Sequence, residues 1–188
     1  MDATSNSRNL VVAVPMPLRD DPEVTLGALR WLIEQAYRPN DIVHVVHVIK
    51  CLVQKLEVYH GVPGTSFSFE EPGGIHHENE DVSRAKSFLT ESVMPLLDAR
   101  QIQHRTHLSV ETTEAPPSAV AQIIFNAADS VGADLVVLGA NRKPVSAEDG
   151  ALGKVAKYAL DNAQRPLVLT RAFQPIPVSS DAPIQMNS

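Results

Sequence analysis

The sequence predicts a doubly wound α/β domain built on a parallel sheet, and three features of the 188-residue chain point to it. Short unbroken apolar runs, Leu10 to Val14, Ile42 to Ile49, Leu135 to Gly139 and Leu167 to Thr170, have the composition of strands buried on both faces. Segments with apolar residues at helical spacing separate them. Apolar residues ending in Gly139, then a loop, then a new helical pattern after Gly153, is an arrangement by which such domains present backbone amides to an anion.

The first strand is Leu10-Val11-Val12-Ala13-Val14, stopped by Pro15 and Pro17. Asp20 or Asp21 caps the following helix with Pro22 near its first position, and Val24, Ala28, Trp31, Leu32 and Ala36 share one face. Pro39-Asn40-Asp41 turns the chain into the second strand, which only His44 and His47 interrupt. Those histidines are an odd number of residues apart, so they face opposite sides of the sheet and serve packing or partner contacts. Strand, helix, strand implies a right-handed parallel unit.

From residue 50 to 77 periodicity is weak and Gly, Pro and Ser accumulate, which predicts a long loop insertion. Val82, Ala85, Phe88, Leu89, Val93, Leu96 and Leu97 then form a helical face that Pro95 is expected to kink or break. Gln103 to Thr112 alternates like a half-solvated edge strand. Ala115 to Ser118 opens a third helix, with Val120, Ile123, Ile124, Ala127, Ala128 and Val131 on one face and Gly132 at its end. Leu152, Val155, Ala156, Ala159 and Leu160 are expected on the apolar face of the last helix. Five strands and four helices make one domain over 10–171, flanked by a flexible N-terminus at 1–9 and a flexible proline-bearing tail at 172–188.

Composition limits the functions open to such a domain. Sixteen Lys and Arg against 22 Asp and Glu give a formal net charge of −6, which argues against a nucleic-acid partner. No apolar run approaches the roughly 20 residues of a membrane span. A lone cysteine, Cys51, allows no intrachain disulfide, and the polar first residues carry no secretory or transit signal, so the cytoplasm is the expected location. His76, His77, Glu78, Glu80 and Asp81 lack regular ligand spacing, and no metal site is expected. No nucleophile, base and orienting acid can be assembled in sequence order, so catalysis is not expected.

Three motifs resemble the universal stress protein family. Ala133-Asp134-Leu135-Val136-Val137-Leu138-Gly139 is similar to the family's fourth strand, Val45-Val46-His47-Val48-Ile49 to its second, and Arg165-Pro166-Leu167-Val168-Leu169 to its closing strand. The resemblance implies a five-stranded sheet in the order 3-2-1-4-5 and a homodimer paired through the last strand, Leu167, Val168, Leu169 and Thr170. A bare apolar edge strand agrees with such pairing.

The resemblance also implies a nucleotide pocket. ATP-binding members carry Gly-x2-Gly-x9-Gly-Ser/Thr after the fourth strand, an aspartate at the end of the first, and a valine on the second whose backbone meets adenine. In this chain Gly139 and Gly153 match glycines, Arg142 replaces the middle one, Lys154 replaces the hydroxyl residue, and the spacing is one residue longer. Pro15 stands at the aspartate position, while Val48 matches the adenine contact. The candidate nucleotide positions are Ala13, Val14 and Pro15; Val48; Gly139, Asn141 and Arg142; and Gly153, Lys154 and Val155. Two readings follow. In the first, the chain is a homodimeric regulatory or protective binding module with a degenerate ATP pocket. In the second, it is a stress-response switch that binds ATP or AMP, with Mg2+ only alongside ATP and with slow hydrolysis or nucleotide-dependent association, and Arg142, Lys143 and Lys154 supply the phosphate contacts.

Overall fold

The computed structural model describes residues 7–17, 25–51, 80–112, 114–140 and 153–170. Within them a five-stranded parallel sheet has the order β3-β2-β1-β4-β5. The strands are β1 (Asn9–Ala13), β2 (Ile42–Cys51), β3 (His104–Thr112), β4 (Leu135–Gly139) and β5 (Leu167–Thr170). The helices are α1, α-helical over Gly27–Trp31 and π-helical over Leu32–Ala36; α2, from Glu80–Phe88 through the π-helical turn Leu89–Val93 to Met94–Asp98; α3 (Pro117–Ser130); and α4 (Lys154–Asn162).

Alternation along the strands sorts the core into two layers. Leu10, Val12, Val43, Val45 and Val137 pack with Leu29, Leu32, Phe88, Leu89 and Leu97 of α1 and α2. Val11, Val46, Val136 and Leu138 face the other way, against Ile124 and Ala128 of α3 and Ala159 of α4. Leu10, Val11 and Val12 are 0% exposed, and complete burial of each such side chain is worth about 1.5–3 kcal/mol. The unbroken apolar runs are thus explained by helices on both faces of the sheet. β3 is an edge strand as expected, and Val110 on it is exposed.

Several boundaries differ from the sequence reading. The flexible N-terminus expected over 1–9 gives way to structure by residue 7. Asn9 starts β1, and Arg8 Nε donates to Asp41 Oδ1 at 3.1 Å while Arg8 Nη2 donates to the Ala36 carbonyl at 2.8 Å. Lys50 and Cys51, assigned to the long loop, extend β2 because nine residue pairs register it on β3, down to Cys51 opposite Thr112. The rest of that loop and the 172–188 tail lie outside the described residues, as do the proposed caps Asp20 and Asp21.

Pro95 neither breaks nor ends its helix. The π-helical turn Leu89–Val93 comes immediately before it, and Val93 and Met94 keep helical dihedrals. A wider turn removes the need for the amide that proline lacks and relieves its ring from the preceding carbonyls. Leu29 and Ile33 are buried although they fall off the stripe predicted for α1; they stand four residues apart beside Ala28 and Leu32, so the buried face is broader than that stripe. Leu160, expected on the buried face of α4, is 56% exposed.

Candidate functional site

The carboxyl ends of β1, β2 and β4 enclose a cavity of about 630 Å³. In a doubly wound sheet each helix following a strand starts at this edge, so first turns and strand ends line the same space. Ala13, Val14, Pro15, Val48, Gly139, Gly153, Lys154 and Val155 all line it, and these are eight of the ten sequence candidates. Asn141 and Arg142 lie outside the described residues.

Two backbone features shape the floor. The Val14 amide donates to the Val46 carbonyl at 3.0 Å, and the Val14 carbonyl accepts from His47 Nδ1 at 2.7 Å. The peptide end of β1 is therefore held from β2 on both its donor and acceptor sides. Gly153, which caps the amino end of α4, has φ 70° and ψ 159°, a combination essentially closed to residues with a Cβ. It is also buried, and Lys157 N donates to its carbonyl at 3.0 Å as the first turn of α4 begins. The first amides of a helix lack intrahelical acceptors in general, and the helix dipole favours negative charge beside them.

His47 is 0% exposed. Because Nδ1 faces a carbonyl, Nδ1 carries the proton, and Nε2 is left as a buried acceptor with no partner among the described residues. Burial lowers the pKa of His47, and the bond to Val14 only partly opposes that, so the ring is neutral. It packs beside Phe88, with ring centroids 6.1 Å apart. The sequence reading treated His47 as packing, and the structure adds that its ring anchors the end of β1 at the cavity.

His44, on the opposite face, belongs to a second polar network. Asn9 Nδ2 donates to the Val131 carbonyl at 2.8 Å, which leaves Asn9 Oδ1 to accept from His44 Nε2 at 3.2 Å. His44 Nδ1 is then the acceptor for His107 Nε2 at 2.9 Å. Burial, followed by the neighbouring His107 and Arg105, pushes the His44 pKa down to about 4. Burial and Arg105 also lower that of His107.

Sequence reasoning missed the second half of the wall. Met16 follows β1, Lys50 is the last residue but one of β2, Asp81 and Arg84 come from the start of α2, and Val120 and Ile124 from α3. Lys50 Nζ donates to the Ala115 carbonyl at 2.9 Å, and Arg84 Nη2 lies 3.6 Å from Asp81 Oδ1. The available signal was topological: a right-handed crossover returns the first turn of the next helix to the strand's carboxyl edge. Among the described residues no group of three or more His, Cys, Asp or Glu is placed to hold a metal ion, and no helix is long and apolar enough to cross a membrane.

Comparison with known proteins places this architecture. A universal stress protein from Archaeoglobus fulgidus aligns with a TM-score of 0.54 at 24% identity, over 86% of this chain and 97% of that one. The universal stress protein from Archaeoglobus fulgidus in complex with dAMP aligns at 0.51 and 23%, over 86% and 96%. A universal stress protein family protein from Arabidopsis thaliana with AMP bound aligns at 0.53 and 18%, over 93% and 97%. No curated protein matches the sequence at a significant level. The model of the universal stress protein family matches residues 7–171, nearly the whole chain, so this chain belongs to the universal stress protein family.

Proposed function

We propose that the chain is a homodimeric regulatory module that binds an adenine nucleoside monophosphate in the cavity at the strand ends, rather than a catalyst. One observation carries this reading: a single cavity joins Val48 on β2, the end of β1, Gly139 and the Gly153-Lys154 entry to α4. Its volume of about 630 Å³ falls within the roughly 300–1,000 Å³ of small-molecule sites. The apolar wall of Val48, Val120, Ile124 and Leu138 suits a base, and the start of α4 with Lys154 suits a phosphate. The complexes of the Archaeoglobus protein with dAMP and the Arabidopsis protein with AMP support the same assignment by analogy.

The described wall fits a nucleotide better than a divalent cation. Asp81 is its one carboxylate among the described residues, so an ion accompanying ATP would be held mainly by the phosphates themselves. That wall also has no Ser, Thr or Cys among the described residues to serve as a nucleophile, which favours binding over group transfer. Calorimetric titration with AMP, and with ATP and Mg2+, tests the reading. Saturable heat with AMP is expected. A flat titration, confirmed by failure to displace a fluorescent adenine nucleotide, would overturn it in favour of the degenerate pocket that Pro15, Arg142 and Lys154 suggest.

A further inference from the structure

Among the described residues three cations line the cavity, and they do not sit together. Lys154 opens α4 beyond β4, whereas Lys50 lies near the carboxyl end of β2 and Arg84 near the start of α2. β1 lies between β2 and β4, so two strand spacings, roughly 10 Å, separate the two cationic ends at the level of the sheet. The wall between them is apolar. On the Lys50 side Asp81 lies 3.6 Å from Arg84, longer than a hydrogen bond, and Glu111 stands opposite Lys50 in the β2–β3 register. The bond from Lys50 to Ala115 uses one of the ammonium's three hydrogens and fixes that ammonium beside the start of α3.

The chain as a whole is acidic, with a formal charge of −6, so this arrangement runs against its overall balance. Cations in a partly enclosed space raise the local concentration of anions. A nucleoside monophosphate with its phosphate at Gly153 and Lys154 would bring no phosphate to the Lys50 and Arg84 end. At the end of β1, between the two, the described residues Val14, Pro15, Met16 and Pro17 offer no carboxylate. In dinucleotide-binding folds an acid near the ribose selects free hydroxyls, whereas a nearby cation accommodates a phosphate on the ribose.

We infer that the cavity takes a nucleoside bisphosphate, with one phosphate at the start of α4 and a second, carried on a ribose hydroxyl, between Lys50 and Arg84. This rests on the nucleotide reading above and deepens it by naming the ligand class.

Calorimetry with AMP, ADP and adenosine 3′,5′-bisphosphate separates the outcomes. ADP carries the same extra phosphate on the 5′ chain and controls for charge alone. The bisphosphate is expected to bind at least tenfold more tightly than AMP and more tightly than ADP. In Lys50→Ala, Arg84→Gln and the double variant, the ratio of bisphosphate to AMP affinity is expected to fall towards one, with thermal melting as the folding control. Titrating each single variant keeps the test intact if the double variant misfolds. Equal binding of AMP and the bisphosphate overturns the inference and leaves the nucleotide reading standing. An equal gain for ADP, or a ratio that survives in the folded variants, also overturns it. No binding of any of the three overturns the nucleotide reading itself.

Discussion

His47 Nδ1 donates to the carbonyl of Val14 at 2.7 Å, and this bond ties β2 to the last residue before Pro15 at the cavity edge. Proline supplies no amide of its own there, so the end of β1 depends on its neighbours for order. His47→Leu removes the donor and leaves a buried carbonyl to satisfy. A loss of about 1–3 kcal/mol is expected in urea unfolding, together with weaker AMP binding. Unchanged stability would show that the Val14 carbonyl finds another partner.

The histidine networks set the acid limb of stability. His44, His47 and His107 all have folded-state pKa values below their ordinary 6.5, chiefly through burial. Between the folded and unfolded values the unfolded chain binds more protons, so stability is fully present above about 6.5 and falls as pH drops. For His44 the window runs from 6.5 down to about 4, and at about 1.4 kcal/mol per unit the loss reaches roughly 3 kcal/mol at most. Urea midpoints at pH 7.5 and 5 measure it. A His44→Asn, His107→Asn double variant is expected to flatten the slope, and stability that stays level in the parent down to pH 4.5 would contradict the buried neutral pair.

A different group acts lower on the pH scale. Burial alone would raise the pKa of Asp41, but bonds from Arg8 and the Arg38 amide outweigh it and hold the carboxyl below its ordinary 3.8. Its contribution is therefore present above about 3.8 and is lost as pH falls through the lower folded value. Asp41→Asn keeps the shape but removes the charge that pairs with Arg8. A cost of about 1–3 kcal/mol at pH 7 is expected, shrinking as pH approaches 3. A cost independent of pH would mean that packing, not the carboxylate charge, matters there.

The two glycines of the cavity are expected to differ when changed to alanine. A Cβ on Gly139 would meet Ala28 Cβ at 3.9 Å, an ordinary contact, and the backbone there is a regular strand. Gly153 has φ 70° and ψ 159°, where alanine is strained by about 1–3 kcal/mol. Gly139→Ala should change the melting temperature little. Gly153→Ala should lower it and weaken AMP binding by re-aiming the first turn of α4, and equal effects from both would refute the backbone argument.

Such differences show what the sequence makes legible. Strand runs and helical stripes report burial directly, because Val11, Val136 and Ile124 must be apolar wherever helices cover both sheet faces. The sheet order and eight of the ten pocket positions were also readable, through the motifs at Val45 to Ile49 and Ala133 to Gly139. Other features depend on contacts remote in sequence. Lys50 and Cys51 continue β2 because β3 pairs with them, and a polar residue with a lone cysteine gives no local sign of that. The π turn before Pro95 has no marker in composition, and the buried face of α1 takes in Leu29 and Ile33 because of what packs against it. Asp81 and Arg84 are ordinary charged residues at a helix start until the crossover returns them to the strand ends.

The proposed dimer makes a backbone-level prediction at β5. Val136 N donates to the Pro166 carbonyl and Ala140 N to the Thr170 carbonyl, so the alternate residues Leu167 and Leu169 direct their own amides and carbonyls away from β4. β5 is the last strand of the sheet, and its four residues present a short apolar edge. α4, which leads into it, carries Leu160 at 56% exposure. Pairing of this edge with a second copy would satisfy the outward groups. Leu169→Pro removes the outward amide without touching the bonds to β4, as proline is tolerated on an edge strand. Sedimentation analysis is expected to give a dimer for the parent chain and a monomer for the variant, with circular dichroism confirming a folded sheet. A parent monomer at tens of micromolar, or a folded variant that stays dimeric, would remove β5 as the interface.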